Sequence, residues 1–243
     1  MFKNKKILIT GSKGQLGSTL VKYFTKFGAK VISADIKGND KANFYKVDLR
    51  NEEEIKLFFS KIKKKYKYLD ILINNAGKTI VTSFNKRNKK EINDILDTNI
   101  VSTILCSKEF VKICNNKKKL DCNIINISSI YGLLSPDFRI YGNSKRNSPE
   151  IYGASKAGII QLTKYYATHF STKNIRVNCV SPGGILNRKI QNDKFIKNYS
   201  QRVPMTRMAN TSEIVNAVSF LASDKASYIN GHNLIVDGGL SCW

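Results

Sequence analysis

Ile7-Leu8-Ile9-Thr10-Gly11-Ser12-Lys13-Gly14-Gln15-Leu16-Gly17 is the stretch that decides the fold of this 243-residue chain. A short apolar run reads as a buried strand, and glycines turn the chain sharply into a helix that opens near Gln15. Gly11, Gly14 and Gly17 let the backbone come close to a pyrophosphate, and the helix N-terminus around Leu16 points free amides at the anion. Eighteen residues beyond Gly17 stands Asp35, at the end of a second strand. A carboxylate there takes hydrogen bonds from adenosine ribose hydroxyls and repels a 2′-phosphate. Lys13 pulls the other way, since a basic side chain in this loop could meet that phosphate. The balance favours NAD, with NADP possible. Asp48 has two equal readings, an acceptor for the adenine amino group or the N-cap of a helix beginning near Asn51.

Outward from this turn, strands and helices alternate. Strands are predicted over 7–10, 30–34, 44–47, 69–73, 123–127, 175–180 and 233–236, and helices over 15–27, 51–65, 88–115, 151–170 and 212–221. Such alternation implies one α/β domain spanning 1–243, a Rossmann-type doubly wound parallel sheet in three layers, α/β/α. No repeat or linker interrupts it. Two stretches break the rhythm, 133–150 and 183–207, and are expected to be loops over a substrate.

The chain carries 41 Lys and Arg against 18 Asp and Glu, a formal charge of +23. An acidic partner such as nucleic acid, a carrier protein or a phosphorylated substrate would explain this. A solvated surface that defaults to lysine explains it too, and is the favoured reading. Clusters occur at Lys63-Lys64-Lys65 and Lys117-Lys118-Lys119, but no aromatics interleave with them as a stacking platform would require, so no nucleic-acid partner is assigned. Five cysteines without C-x-x-C spacing and two histidines suggest neither a disulfide framework nor a metal site, and Cys179 reads as a small core residue. The apolar runs are of strand length, which argues against a membrane span or a secretory signal, and the protein reads as cytoplasmic.

Tyr152 and Lys156 stand four residues apart in a stretch of helical periodicity, which places both on one face. An ammonium beside a phenol favours the phenolate and is expected to lower the tyrosine pKa, making Tyr152 a proton donor or acceptor for a carbonyl or alcohol. Tyr141-Gly142-Asn143-Ser144-Lys145 has the same spacing. Pro149, eight residues past Tyr141, would break a helix there, whereas Ile159, Ile160, Leu162, Thr163 and Tyr166 continue the helix after Tyr152. Helix physics therefore selects Tyr152.

These residues together resemble the short-chain dehydrogenase/reductase family over essentially the whole chain. Asn74-Asn75-Ala76-Gly77 resembles the motif that steadies the sheet and borders the cofactor, which implies cofactor contacts for Asn75, Ala76 and Gly77. Asn99 resembles the asparagine that anchors a proton-relay water. Ser129, in Ile127-Ser128-Ser129-Ile130-Tyr131-Gly132, resembles the catalytic serine by its register against Gly132. Strand alternation turns Ser128 and Ser129 opposite ways. Tyr152-Gly153-Ala154-Ser155-Lys156 resembles the Tyr-x-Ala-Ser-Lys motif. Ser181-Pro182-Gly183-Gly184-Ile185 resembles the segment beside the nicotinamide, implying contacts from Pro182, Gly183 and Ile185. Asn230-Gly231 and Val236-Asp237-Gly238-Gly239 resemble a C-terminal signature.

Two departures stand out. The glycine spacing is Gly-x-x-Gly-x-x-Gly, as in the family's longer-chain branch. The threonine that usually follows the Pro-Gly segment is missing, with Asn187 as its nearest substitute.

The resemblance implies hydride transfer between a nicotinamide and a small-molecule carbinol or carbonyl, in a homotetramer or homodimer. Tyr131, Arg139 and Tyr141 are candidate substrate contacts, with Lys145 and Arg146 beside them in the 133–150 loop. An Arg/Lys cluster suits phosphate or carboxylate, and an ordinary solvated basic loop is the equal alternative. The stretch from Ser128 to Pro149 resembles a subgroup associated with flagellin modification and bacterial surface-sugar biosynthesis, which implies a sugar, sugar phosphate or nucleotide sugar. A 3-oxoacyl-acyl-carrier-protein reductase is the alternative enzyme, and a non-enzymatic cofactor-binding regulator the alternative of another class.

Overall fold

The structure is a computed structural model that describes residues 2–114, 122–144 and 147–243. Seven strands form one parallel sheet: β1 (Lys6–Thr10), β2 (Lys30–Asp35), β3 (Phe44–Lys46), β4 (Ile71–Asn74), β5 (Cys122–Ile127), β6 (Ile175–Pro182) and β7 (Asn233–Val236), in the order β3-β2-β1-β4-β5-β6-β7. The sequence order reverses between β1 and β4, whose registers align Ile7 with Ile71 and Ile9 with Ile73. Carboxyl ends of strands at such a switch point leave a crevice in which ligands bind.

The strands are apolar on both faces because helices cover both. Leu8, Leu72 and Ile124 face one core, completed by α2 (Glu52–Tyr66), α4 (Ser102–Ile113) and α5 (Glu150–His169). Ile7, Ile9, Ile73 and Ile125 face the other, completed by α1 (Gln15–Lys26) and α7 (Thr211–Ala222). Cys179 is fully buried in β6.

Helix ends follow local chemistry. Asn51 caps α2 by accepting from the amides of Glu53 and Glu54, three glutamates fill its first turn and three lysines its last, each sign opposing the helix dipole. Pro149 precedes α5, and Tyr141 sits instead in a 3-10 segment, Phe138–Ser144, bent at Gly142 with φ +51°.

Two elements differ from the sequence expectation. The long helix expected over 88–115 is α3 (Lys89–Leu96) and α4, joined by a π turn, Asp97–Val101, that carries Asn99. Periodicity continues through such a turn, so the pattern does not reveal it. The stretch 183–207 contains a further helix, α6 (Asp193–Ser200), capped by Asn192. Phe195, Ile196 and Tyr199 are its apolar face, a signal of helical spacing short enough to pass as loop. Among the described residues, no helix is long and apolar enough to cross a membrane.

Candidate functional site

The turn after β1 is tightly built. Gly11 adopts φ +63°, and a Cβ on it would lie 2.7 Å from the Ala76 Cα; a Cβ on Gly17 would lie 2.1 Å from the Gly11 carbonyl oxygen. Asn75 locks the turn from β4, its side chain donating to the carbonyls of Thr10 and Gly11 at 2.9 and 3.0 Å. No side chain caps α1, and the Ser12 hydroxyl is buried without a partner. A close-packed glycine cradle, an uncapped helix N-terminus and an orphaned hydroxyl suit a phosphate-bearing ligand.

From this cradle a groove of 860 Å³ runs past Asp35, Asp48, Gly77 and Ile185 to Tyr152. Gly14, Leu16, Asn75, Ala76 and Lys13 line it too. Asp35 is nearly buried and accepts from the amides of Lys13 and Lys37 at 2.8 and 3.0 Å. Lys13 turns its ammonium over the Phe44 ring, 5.0 Å from the centroid.

Of the two readings of Asp48, the N-cap falls to Asn51. Asp48 is clamped by Arg50, whose guanidinium donates to both carboxylate oxygens and holds that carboxyl below its usual range. Arg50 also reaches Asp94, and Lys78 completes the chain from the other side of Asp94.

Tyr152 lines the groove, a 320 Å³ junction that also includes Lys156, Pro182 and Gly183, and a separate cavity of 500 Å³. It is the point at which the three meet. Ser129 lines the junction and the cavity together with Tyr152, and its hydroxyl accepts from the Tyr131 amide at 3.2 Å. Ser128 turns the other way and donates to the Lys156 carbonyl at 2.7 Å, pinning β5 to α5. Lys156 donates from Nζ to the Ile127 carbonyl at 2.9 Å and lies 5.7 Å from the Tyr152 ring centroid.

Asn99 accepts from the Lys78 amide at 2.8 Å, and donates to the Lys78 carbonyl and to Ser155 Oγ. A Cβ on Gly77 would lie 3.4 Å from Lys156 Nζ and 3.7 Å from Asn99 Oδ1, so glycine leaves open a small space flanked by both.

The electrostatics correct one expectation. Burial pushes the Tyr152 phenol above its ordinary value, the neighbouring Ser129 hydroxyl pulling against it. Burial also lowers the Lys156 ammonium to about 8. A phenol tuned downward by Lys156 is not what the fold provides, because the ammonium is itself desolvated and is directed at a carbonyl.

The 500 Å³ cavity is walled by Ile80, Ile130, Ile140, Phe195 and Met208, with Tyr131, Tyr141 and Tyr199 among them. Tyr131 and Tyr141, the candidate substrate contacts, are thus among the residues that line it. Arg139 does not. Its side chain is 76% exposed and pairs with Asp137 at 2.9 Å, outside the cavity lining. Lys145 and Arg146 lie outside the described residues. Asn187 bonds Gln15 across the turn and lines neither cavity nor groove, so it does not replace the missing threonine.

Sequence reasoning missed several neighbours. Arg87, buried, ties the Thr82 carbonyl to Glu150 in the first turn of α5. Asn147 and Lys194 line the cavity. Only Glu150, an acid at a helix start, carried any local signal of its role.

A family model described as enoyl-(acyl carrier protein) reductase matches residues 12–241. The chain is 30% identical to the 3-oxoacyl-[acyl-carrier-protein] reductase FabG of Thermotoga maritima, over 98% of both chains. It resembles the crystal structure of a short-chain dehydrogenase from Leptospira borgpetersenii with bound NAD+, with a TM-score of 0.91 and 39% identity, covering 99% of this chain and 94% of that one. The ligand-free aldohexose dehydrogenase of Thermoplasma acidophilum aligns with a TM-score of 0.86 and 28% identity, covering 99% of this chain and 95% of that one. The chain belongs to the short-chain dehydrogenase/reductase family, oxidoreductases that use nicotinamide cofactors.

Proposed function

We propose that this protein is an NAD(H)-dependent oxidoreductase acting on a carbinol or carbonyl of a sugar, sugar phosphate or nucleotide sugar, in surface-glycan biosynthesis. The observation that carries the reading is the position of Tyr152, where a dinucleotide-sized groove ending at Asp35 meets a separate cavity with polar and aromatic walls. The Leptospira relative binds NAD+ and the Thermoplasma relative is an aldohexose dehydrogenase, which supports both halves of the reading.

Gly11, Lys13, Gly14, Leu16 and Gly17 would hold the pyrophosphate half of the dinucleotide, and Asp35 the adenosine ribose, with Asp48 near the adenine. Asn75, Ala76, Gly77, Pro182, Gly183 and Ile185 would flank the nicotinamide half. When bound, the nicotinamide supplies or accepts the hydride, and proton handling falls to the chain. Tyr152 gives its phenolic proton to a carbonyl oxygen in reduction, or takes one from an alcohol in oxidation. Ser129 hydrogen-bonds the same substrate oxygen as charge develops on it. Lys156 would hold the nicotinamide ribose. Asn99 and Lys156 flank the space beside Gly77 through which Tyr152 regains its proton. The apolar wall of Ile80, Ile130 and Met208 excludes water from the reacting face.

A 3-oxoacyl-acyl-carrier-protein reductase is the second reading, favoured by the named curated relative and by a charge of +23 that would attract an acidic carrier. Asp35 counts against it where the reductant is NADPH. The test follows nicotinamide absorbance with NAD(H) and NADP(H) against sugar phosphates, nucleotide sugars, free sugars and an acetoacetyl thioester. NAD-linked turnover of one sugar class supports the first reading. NADPH-linked reduction of the thioester alone replaces it with the second.

A further inference from the structure

The 500 Å³ cavity has a polar side that the catalytic residues do not use. Among its described lining residues there is no Asp, Glu, Arg or His, and the single cation is Lys194, at the N-terminal end of α6. Lys194 extends over the bend of the 138–144 segment, where a Cβ on Gly142 would lie 3.6 Å from its Cε and 3.9 Å from its Nζ. Among the described residues it makes no ion pair, whereas Arg139, Arg188, Arg202 and Arg207 all have carboxylate partners.

Asn147 lines the same cavity, and its Oδ1 is buried without a hydrogen-bond partner. A buried acceptor left unpaired is costly, and such atoms in a site call for a donor from the ligand. Gln191 and Asn192, the other amides of this wall, are already engaged in the α6 entry: Gln191 bonds the Ile185 carbonyl and the Asn187 amide, and Asn192 caps α6. The wall thus offers an exposed ammonium without an ion-pair partner at Lys194 and a buried acceptor without a donor at Asn147.

We propose that Lys194 and Asn147 form a subsite selecting substrates that carry an acidic substituent, carboxylate or phosphate, together with a hydroxyl, over their neutral counterparts. This deepens the oxidoreductase reading above and rests on it for the position of the reacting carbon. Lys194 is exposed at the cavity mouth, so the ammonium meets the anion without first being buried, and a charge-assisted bond forms as the substrate enters. Asn147, deeper in, accepts a hydrogen bond from the substrate hydroxyl through Oδ1 and fixes which carbon faces Tyr152.

The experiment is equilibrium binding, with NADH saturating so that no hydride acceptor is present, of glucose, gluconate and glucose 6-phosphate to the wild-type protein and to Lys194→Met, Asn147→Ala and Lys225→Met. Lys225→Met removes the same unit of charge from a remote turn and controls for the overall field. Turnover is followed in parallel.

We expect one acid to bind at least about tenfold tighter than glucose, the range of one charge-assisted hydrogen bond. That preference should collapse in Lys194→Met and persist in Lys225→Met, and Asn147→Ala should weaken acid and glucose alike. Gluconate leading identifies a carboxylate, and the phosphate ester leading identifies a phosphate. Equal binding of acid and neutral sugars by the wild type, or a preference that survives Lys194→Met, overturns the subsite. Selective binding of an acid, with no turnover of these ligands or of the sugar phosphates and nucleotide sugars tested above, leaves the subsite standing and removes the sugar-oxidoreductase reading instead.

Discussion

At the scale of single residues, the protonation of Tyr152 and Lys156 sets what can be measured. With its phenol above the ordinary value, Tyr152 is fully protonated at neutral pH and ready to donate. The phenolate needed for oxidation becomes populated only as pH rises. Alcohol oxidation should therefore climb from pH 7 through pH 9, with reduction favoured on the neutral side; a pH-rate profile of oxidation that falls across that range contradicts the assignment. Lys156 is buried with its ammonium lowered to about 8, below the ordinary lysine value. Between that pH and about 10.4 the unfolded chain binds more protons than the folded one, so this group's contribution to stability rises with pH across the window and is least favourable below it. Lys156→Met removes a penalty on the order of 3 kcal/mol at pH 7, partly offset by the lost bond to Ile127. Thermal melts should show the variant more stable than wild type at pH 7, the gap closing toward pH 10, while turnover is lost. A variant that melts below wild type at pH 7 would show that the lysine is not held at such a cost. Tyr152 was legible because Pro149 rules out a helix through Tyr141 and the periodicity after Tyr152 does not break. Asn147 and Lys194 were not, because they come to line one cavity only through the paths of the 133–150 and 183–207 stretches, which no local pattern encodes.

At the scale of elements, the β1–α1 turn was fully legible, since glycine spacing, a preceding strand and Asp35 are all local facts. Its tolerance is uneven. A Cβ on Gly17 would collide with the Gly11 carbonyl at 2.1 Å, while one on Gly14 meets the same oxygen at 3.3 Å. Gly17→Ala should lose at least about tenfold in NAD(H) affinity and melt earlier, by the cost of overpacking of about 1–3 kcal/mol, with Gly14→Ala much milder. Dinucleotide titration and thermal melts of the pair check this, and equal behaviour of the two variants would mean the turn relaxes more than its packing suggests. The capped helices were also legible, α2 most of all, because Asn51, the glutamates and the lysines mark both its ends. The π turn around Asn99 and the short helix α6 were not. A π turn inserts one residue without breaking the apolar rhythm, and two helical turns give too few repeats to outweigh the surrounding polar residues.

At the scale of the whole molecule, the alternation of elements was enough to imply the parallel sheet, and the switch point then places the site. Net charge carried no such information. A charge of +23 is compatible with a solvated lysine surface, and retention on RNA or DNA should vanish at moderate salt; binding that persists there would give the charge a function. The most direct test of the central claim is the turnover of Tyr152→Phe beside wild type, followed by nicotinamide absorbance on the substrate class that the wild type accepts, with NAD(H) affinity measured on both. Loss of one proton-transfer group at the junction should lower turnover by about 10²–10⁴-fold and leave NAD(H) affinity nearly intact. Turnover comparable to wild type would show that the chemistry is run by a group other than Tyr152.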